Sequence, residues 1–88
     1  AIAVILNRAL KKAEAAFAAG ERNSAKLVAL TADMIRTEPM SNIDYVEMYQ
    51  LPELTEAEAE ITTDHLLAVA VKFGTTRLID NVVLAVKK

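Results

Sequence analysis

Polar side chains suited to binding a substrate are concentrated near the C-terminal end of the sequence. Arg77, Asp80 and Asn81 supply a guanidinium, a carboxylate and an amide, which together could bind a polar substrate. In a regular strand Arg77 and Asn81 point to one face and Asp80 to the other, so the three line one pocket only if a bulge intervenes. We therefore expect structural roles. Arg77 would pair with a carboxylate such as Glu47 or Asp44 across a sheet, and Asp80 or Asn81 would bond to backbone.

Other candidates for catalysis or metal binding are few. The one histidine, His65, has no second histidine or cysteine as a partner for a metal and no serine at a known motif spacing, so we expect a surface or edge histidine. Gly20 and Gly74 are the only glycines, which excludes a glycine-rich phosphate loop. Residues 53–60 are rich in glutamate but contain no glycine, which a calcium loop requires. They therefore predict a solvated acidic face. The residues thus predict no catalytic group and no metal ligand.

Two tyrosines in the middle of the chain are a further candidate. Tyr45 and Tyr49 are four residues apart and share one face of a predicted strand, where they could stack on a ring of a ligand. More often such residues cover the edge of a core and keep the hydroxyl in water, which is the interpretation we favour.

Composition limits the class of protein. With 88 residues, of which 53% are hydrophobic, the chain can build one modest core. Ten basic and twelve acidic residues give a net charge of -2 without a basic block, which argues against nucleic-acid binding. The lack of cysteine excludes disulfides and suits the cytoplasm. The chain has no apolar run of the roughly 20 residues that span a bilayer, and it starts at Ala1 within a helical pattern, as a piece of a longer protein would.

The first half of the sequence predicts two helices. Apolar residues recur at three- and four-residue steps from Ile2 to Ala19, and Gly20 follows where a helix C-cap belongs. A second helix begins near Asn23 or Ser24 and ends at Glu38-Pro39. The short connection between them predicts an antiparallel helical hairpin.

The second half changes to strand patterns. We predict strands over residues 43–50, 61–73 and 76–86, with a hairpin turn at Gly74 and an exposed loop or single helical turn over 55–60. The strand over 61–73 is apolar on both faces, which suits a central position. The expected fold is α+β, an antiparallel helical hairpin packed on one face of a three-stranded antiparallel sheet.

Three segments also carry a resemblance to a known family. The run from Phe73 to Asn81, preceded by Leu67-Ala68-Val69-Ala70-Val71, resembles the closing signature of the pantothenate synthetases, the pantoate–β-alanine ligases. Ile43-Asp44-Tyr45-Val46-Glu47 and Ala19-Gly20-Glu21-Arg22 are similar to a strand and a helix junction of that family, in the same order. The resemblance implies that residues 1–88 are a single domain, the C-terminal lid of a longer enzyme whose N-terminal nucleotide-binding domain lies outside this sequence.

What the resemblance implies about function belongs mainly to the parent enzyme. The family joins pantoate to β-alanine with ATP and Mg²⁺, through pantoyl adenylate, and releases AMP and pyrophosphate; the parent is expected to be a cytoplasmic homodimer. The family's catalytic motifs, of the His-x-Gly-His and Met-Ser-x-Arg-Asn kinds, do not occur here, so no catalytic residue carries over and the chain alone is expected to be inactive. The signature residues, for which we predict structural or hinge-facing roles, are Asp44, Tyr45, Gly74, Thr75, Thr76, Arg77, Asp80 and Asn81.

A lid suits this chemistry because a mixed anhydride is lost to hydrolysis when water enters. The exposed half of the sheet or the hairpin turn would face the missing domain, which predicts an apolar or mixed surface patch. The alternative is a stand-alone interaction or dimerisation module with the same fold, which predicts a self-complementary edge or helix face. A nucleic-acid-binding module comes third, because the net charge disfavours it.

Overall fold

The computed structural model describes the backbone of residues 2–86 and the side chains of residues 4–86. Its elements are α1 (Ile2–Ala18), α2 (Ser24–Arg36), β1 (Ser41–Gln50), β2 (Thr55–Glu56), β3 (His65–Phe73) and β4 (Thr76–Leu84). The two helices pack on an antiparallel sheet, which confirms the α+β class. The sheet has four strands where the sequence predicts three.

The junction between the helices is fixed by local hydrogen bonds. Gly20 has a φ of +115°, and the amide of Glu21 donates to the carbonyl of Ala16 at 2.9 Å. With the bond from the Gly20 amide to the Phe17 carbonyl at 3.0 Å, this is a Schellman motif, which ends a helix and reverses the chain. The guanidinium of Arg22 then lies 4.0 Å from the centre of the Phe17 ring and donates to the Phe17 carbonyl. The predicted stop at Gly20 is confirmed.

The second helix starts and stops close to the predicted positions. The side chain of Asn23 accepts a hydrogen bond from the Lys26 amide at 3.0 Å, so Asn23 is the N-cap. The helix ends at Arg36, two residues before Glu38-Pro39. The two helices contact one another across this short junction, which confirms the helical hairpin.

The strands form one antiparallel sheet in the order β2-β1-β3-β4. β3 pairs with β1 on one side and β4 on the other, as its apolar sequence predicts. Gly74 and Thr75 form the two-residue β3–β4 loop, and Gly74 alone has a positive φ, +64°, as a type II′ turn requires. The structure shortens both predicted strands, since β3 begins at His65 and β4 ends at Leu84.

The loop predicted for residues 55–60 is wrong at its first two residues, whereas residues 57–60 lie outside the helices and strands, as a loop would. Thr55 and Glu56 form the two-residue strand β2 and pair with Gln50 and Tyr49. The chain reverses directly after β1, with Leu54 at a φ of +58°, and this brings Thr55 opposite Gln50. A two-residue strand is too short to carry a period of its own.

The segment between β2 and β3 returns to the helix junction. The amide of Ser24 donates to the carbonyl of Ala59 at 3.0 Å, and the amide of Ile61 donates to the carbonyl of Arg22 at 2.8 Å. Ile61 is 2% exposed and belongs to the core, although it lies outside any strand. This segment therefore closes one end of the sandwich.

The sheet has two unlike faces, which we call the covered face and the open face. The covered face carries the β3 residues Leu67, Val69, Val71 and Phe73, which pack with the buried side of the helices. The open face carries the alternate β3 residues Leu66, Ala68, Ala70 and Lys72 together with their partners on β1 and β4. Because both helices lie on the covered face, residues 2–86 supply no second layer for the open face.

Candidate functional site

Two apolar rows run across the open face, perpendicular to the strands. One row joins Tyr45, Ala70 and Ile79, and the other joins Tyr49, Leu66 and Val83. Ile79 is 59% exposed and Val83 49% exposed, so apolar surface on β4 is in contact with water. The shared face of the two tyrosines is confirmed.

Polar rows separate and flank the apolar ones. Glu47, Ala68 and Asn81 lie between the two apolar rows, and the carboxylate of Glu47 accepts a hydrogen bond from the hydroxyl of Tyr49. Asn42, Lys72 and Arg77 form a row at the end nearest the β3–β4 turn. The open face is therefore a mixed surface of alternating apolar and polar strips.

The pairing predicted for Arg77 is confirmed, with Asp44 as the partner. The Arg77 Nε donates to the Asp44 Oδ2 at 2.7 Å. The register of β1 shifts between Ile43 and Tyr45, and Asp44 is the extra residue of this bulge. The bulge turns the carboxylate to the open face, where it reaches β4 across β3. The two signature residues thus link strands that do not pair directly.

Lys72 lies opposite Arg77 in the register of β3 and β4. Two like charges at directly opposed positions are destabilising unless a negative group compensates them. Asp44 bonds to the Nε of Arg77. The sequence analysis did not identify this pair of positive charges. A two-residue turn at Gly74 would have predicted it, because such a turn places Lys72 directly opposite Arg77.

Asp80 and Asn81 lie on opposite faces, as predicted, and do not converge with Arg77. Asp80 is opposite Val69 on the covered face, whereas Asn81 is opposite Ala68 on the open face. The carboxylate of Asp80 accepts a hydrogen bond from the Asn81 amide at 2.8 Å, which confirms the backbone bond expected of one of them. The geometry therefore does not build a catalytic group from these three residues.

The other signature residues, Gly74, Thr75 and Thr76, form the tip of the β3–β4 hairpin. All three are exposed. Thr76 is opposite Phe73 and is the first residue of β4. The tip therefore extends from the end of the sheet that carries Lys72 and Arg77. The tip and the positively charged row are neighbouring parts of the same surface.

His65 is buried, and the expectation of a surface histidine is wrong. Its exposure is 0%. The Nε2 accepts a hydrogen bond from the Glu58 amide at 3.1 Å, so the ring proton lies on Nδ1, which donates to the Thr63 carbonyl at 2.8 Å. The segment between β2 and β3 folds over the ring, and both nitrogens hold that segment in place. His65 is a structural residue of the covered side.

The carboxylate of Glu58 organises the same segment. It accepts bonds from the amide and hydroxyl of Thr62, each at 2.9 Å, and from the amide and hydroxyl of Thr63, each at 3.2 Å. The backbone bond from Thr62 is the largest of the effects that lower the pKa of Glu58 below its usual value. Glu58 is thus engaged in holding the loop, which the prediction of a solvated acidic face overlooked.

Among residues that the structure describes, no three histidine, cysteine or acidic side chains lie close enough to hold a metal ion. Within the same part of the chain, no helix has the length and hydropathy needed to cross a membrane. The described residues form a small α+β fold with a mixed apolar and polar open face.

Comparisons with known proteins identify the family. The model of the pantoate–β-alanine ligase family matches residues 1–83. The pantothenate synthetase of Pelotomaculum thermopropionicum is 54% identical over 82 residues, which are 93% of this chain and 29% of that protein. That of Carboxydothermus hydrogenoformans is 46% identical over 84 residues, 96% of this chain and 29% of that protein. The chain belongs to the pantoate–β-alanine ligase family, and it spans less than a third of the length of these relatives.

The fold agrees with a solved member of the family. A crystal structure of pantothenate synthetase from Thermus thermophilus superimposes with a TM-score of 0.77 at 26% sequence identity. The superposition covers 89% of this chain and 28% of that one. The two-layer arrangement is therefore shared with one part of a larger ligase.

Proposed function

We propose that this chain is the C-terminal lid domain of a pantothenate synthetase and is inactive alone. The observation that carries the proposal is the match to the family over residues 1–83, combined with 54% identity to 29% of the length of a relative named pantothenate synthetase. The parent would be an ATP-dependent ligase that uses Mg²⁺. Its nucleotide-binding domain, pantoate, β-alanine and ATP would be its partners.

The proposed reaction has two steps in the parent. The carboxylate of pantoate attacks the α-phosphorus of ATP, which forms pantoyl adenylate and releases pyrophosphate. The amine of β-alanine then attacks the acyl carbon, and the bond between that carbon and the phosphate oxygen breaks. The products of this step are pantothenate and AMP. Water competes with the amine for the same acyl carbon, so a domain that excludes water protects the intermediate.

The signature residues support a scaffold role within such a lid. Asp44 and Arg77 tie β1 to β4, and Gly74 supplies the positive φ of the hairpin that makes β3 and β4 neighbours. These contacts fix the shape of the open face and leave the chemistry to the rest of the ligase. We also propose that the parent is a cytoplasmic homodimer, as the family resemblance implies.

The test is release of AMP from ATP, pantoate and β-alanine. The chain, a separately produced nucleotide-binding domain of the family, and an equimolar mixture of the two are assayed side by side. Efficient AMP release is expected from the mixture only, and it should stop when β-alanine is omitted because the second step then lacks its nucleophile. A nucleotide-binding domain that reaches the same rate without the chain would contradict the lid role.

A stand-alone dimerisation module is the second candidate. The observation in its favour is that β4 is an edge strand of the sheet and carries the exposed Ile79 and Val83. This candidate predicts a stable homodimer of the chain in sedimentation equilibrium at micromolar concentration. The lid role predicts a monomer under the same conditions.

A further inference from the structure

His65 is the one histidine of the chain, and its ring is bonded at both nitrogens inside the fold. The amide of Glu58 donates to Nε2 at 3.1 Å, and Nδ1 donates to the carbonyl of Thr63 at 2.8 Å. A ring that accepts at one nitrogen and donates at the other is neutral, because an imidazolium has two N–H donors and no acceptor. The bond with the Glu58 amide therefore exists only in the uncharged form of the ring.

The ring holds the segment between β2 and β3, residues 57–64, which we call the strap. On its other side the strap is tied to the helix junction, where the Ile61 amide donates to the carbonyl of Arg22 at 2.8 Å and the Ser24 amide donates to the carbonyl of Ala59 at 3.0 Å. The side chain of Ile61 is 2% exposed and completes one end of the core. A segment outside the helices and strands, held by single bonds of this kind, is of the type that opens locally.

We propose that protonation of His65 opens the strap while the rest of the domain stays folded. In the closed strap, a protonated Nε2 would bring its N–H against the N–H of the Glu58 amide, and two donors do not bond to one another. The closed strap would also keep a charged ring away from water. All of these contacts lie within the chain, so the opening of the strap does not depend on the proposed lid role.

The groups around the ring do not offer another partner for its charge. Gln50 and Leu84, which lie opposite His65 on β1 and β4, are uncharged. The charged residues of the strap and the helix junction are Glu21, Arg22, Glu58, Glu60 and Asp64. The carboxylate of Glu58 already accepts bonds from strap threonines, and that of Asp64 accepts one from the Val86 amide. Among the described side chains, none of these charged groups bonds to the ring. Opening the strap is then the way in which the charged ring reaches water.

Acid should open the strap over a defined range of pH. A histidine in water ionises near about pH 6.5, so below that pH the open strap binds more protons than the closed one. The ratio of open to closed strap should therefore rise by up to about tenfold for each unit that the pH falls below this value. Glu58 acts in the same direction only at lower pH, because its pKa lies below 4.5. The range between about pH 5 and 7 thus reports the histidine.

Exchange of single amides with deuterium measures the opening. It is followed by NMR between about pH 5 and 7, and the rates are corrected for the intrinsic effect of pH on exchange. The Glu58 and Ile61 amides report the strap, whereas the Val69 amide in the central strand reports unfolding of the whole domain. The control variant His65→Gln keeps an acceptor in the side chain and does not titrate. Circular dichroism at pH 7 checks that this variant retains the fold.

In the unaltered chain we expect the protection of the strap amides to fall about tenfold or more from pH 7 to pH 5. At pH 5 it should also be about tenfold or more below the protection of Val69, since the strap opens without the sheet. Strap protection equal to that of Val69 would overturn the inference, because the whole domain would then unfold. Strap protection that does not change with pH would overturn it too. The same fall in His65→Gln would assign the effect to another group.

Nitrogen chemical shifts of the His65 ring give a second test that needs no variant. At pH 7 they should show the proton on Nδ1, as the bonds to the Glu58 amide and the Thr63 carbonyl require. A proton on Nε2 at this pH would overturn the inference, because the neutral ring could not then accept from the Glu58 amide and protonation would break no bond to the strap there.

Discussion

The covered and open faces of the sheet are built by the same strands but are completed differently. In β3, Leu67 is 0% exposed beneath the helices, whereas its neighbour Leu66 is only half-buried on the other side. The alternation of a strand places the two leucines on opposite faces although they are adjacent in sequence. The chain therefore contains everything needed to finish one face. Within residues 2–86, no second layer covers the other face.

The largest expected effect tests this difference directly. Leu67→Ala should lower the free energy of unfolding by about 2–5 kcal/mol, because it leaves a cavity in a closed core. Leu66→Ala should cost roughly 1 kcal/mol, since the side chain is only partly removed from water. Urea denaturation of the two variants and the unaltered chain measures both values. Equal losses would show that the open face is packed as tightly as the covered one.

A second test concerns the loop that closes the covered side. His65→Leu removes the acceptor of the Glu58 amide and leaves a donor without its partner, so we expect a loss of about 1–3 kcal/mol in unfolding free energy. His65→Gln keeps an acceptor in the side chain and should recover part of the loss. The comparison is made by urea denaturation at pH 7. A leucine variant as stable as the unaltered chain would mean that the ring does not hold the loop.

The third test uses pH. The pKa of Glu58 is lower in the folded chain than its usual value of 4.5, chiefly because the Thr62 amide bonds to the ionised form. The ionised carboxylate therefore adds stability above pH 4.5, and this stability is lost as the pH falls through the lowered pKa. Glu58→Gln should be less stable than the unaltered chain at pH 7.

The difference in stability between Glu58→Gln and the unaltered chain should shrink below pH 4.5 and disappear at lower pH. Denaturation midpoints between pH 2 and 7 measure it. Thr75→Ala, at the exposed hairpin tip, is a control whose difference from the unaltered chain should not depend on pH. A Glu58→Gln difference that is constant across the range would contradict the assignment.

The smallest expected effect lies on the open face. A double-mutant cycle with Arg77→Ala and Asp44→Ala should give a coupling of about 0.2–1 kcal/mol, because the ion pair is largely exposed. The coupling should fall in about 1 M salt, where the screening length is near 3 Å. A coupling above 2 kcal/mol that salt does not change would mean that this corner of the open face is already shielded from water.

Periodicity was sufficient to predict the elements that are long. The helices, the hairpin at Gly74 and the central place of β3 follow from spacing and turn chemistry, because each repeats a local signal several times. Two features depend on how distant segments meet. β2 forms where the chain folds back on β1, and the burial of His65 depends on the loop around Glu58 and Thr63.

The candidate site shows the same division between features that local spacing predicts and features that it does not. Alternation correctly placed Arg77 and Asn81 on one face and Asp80 on the other. In a regular strand, however, Asp44 would share a face with Val46 and Met48, which lie on the covered side. The bulge at Asp44 reverses this direction, and a bulge has no period from which to predict it. The sequence could therefore name two partners for Arg77 without choosing between them.

The position of β3 between two paired strands also sets the order in which the chain opens. Its backbone amides are engaged with β1 and β4 on both sides, whereas β2 contributes two residues to an edge. Amides of β3 should exchange with deuterium only when the whole domain unfolds, and those of β2 should exchange through local fraying. Partial opening at the β2 edge would then leave β3 intact, so the strand that separates the two faces would be the last part of the sheet to open.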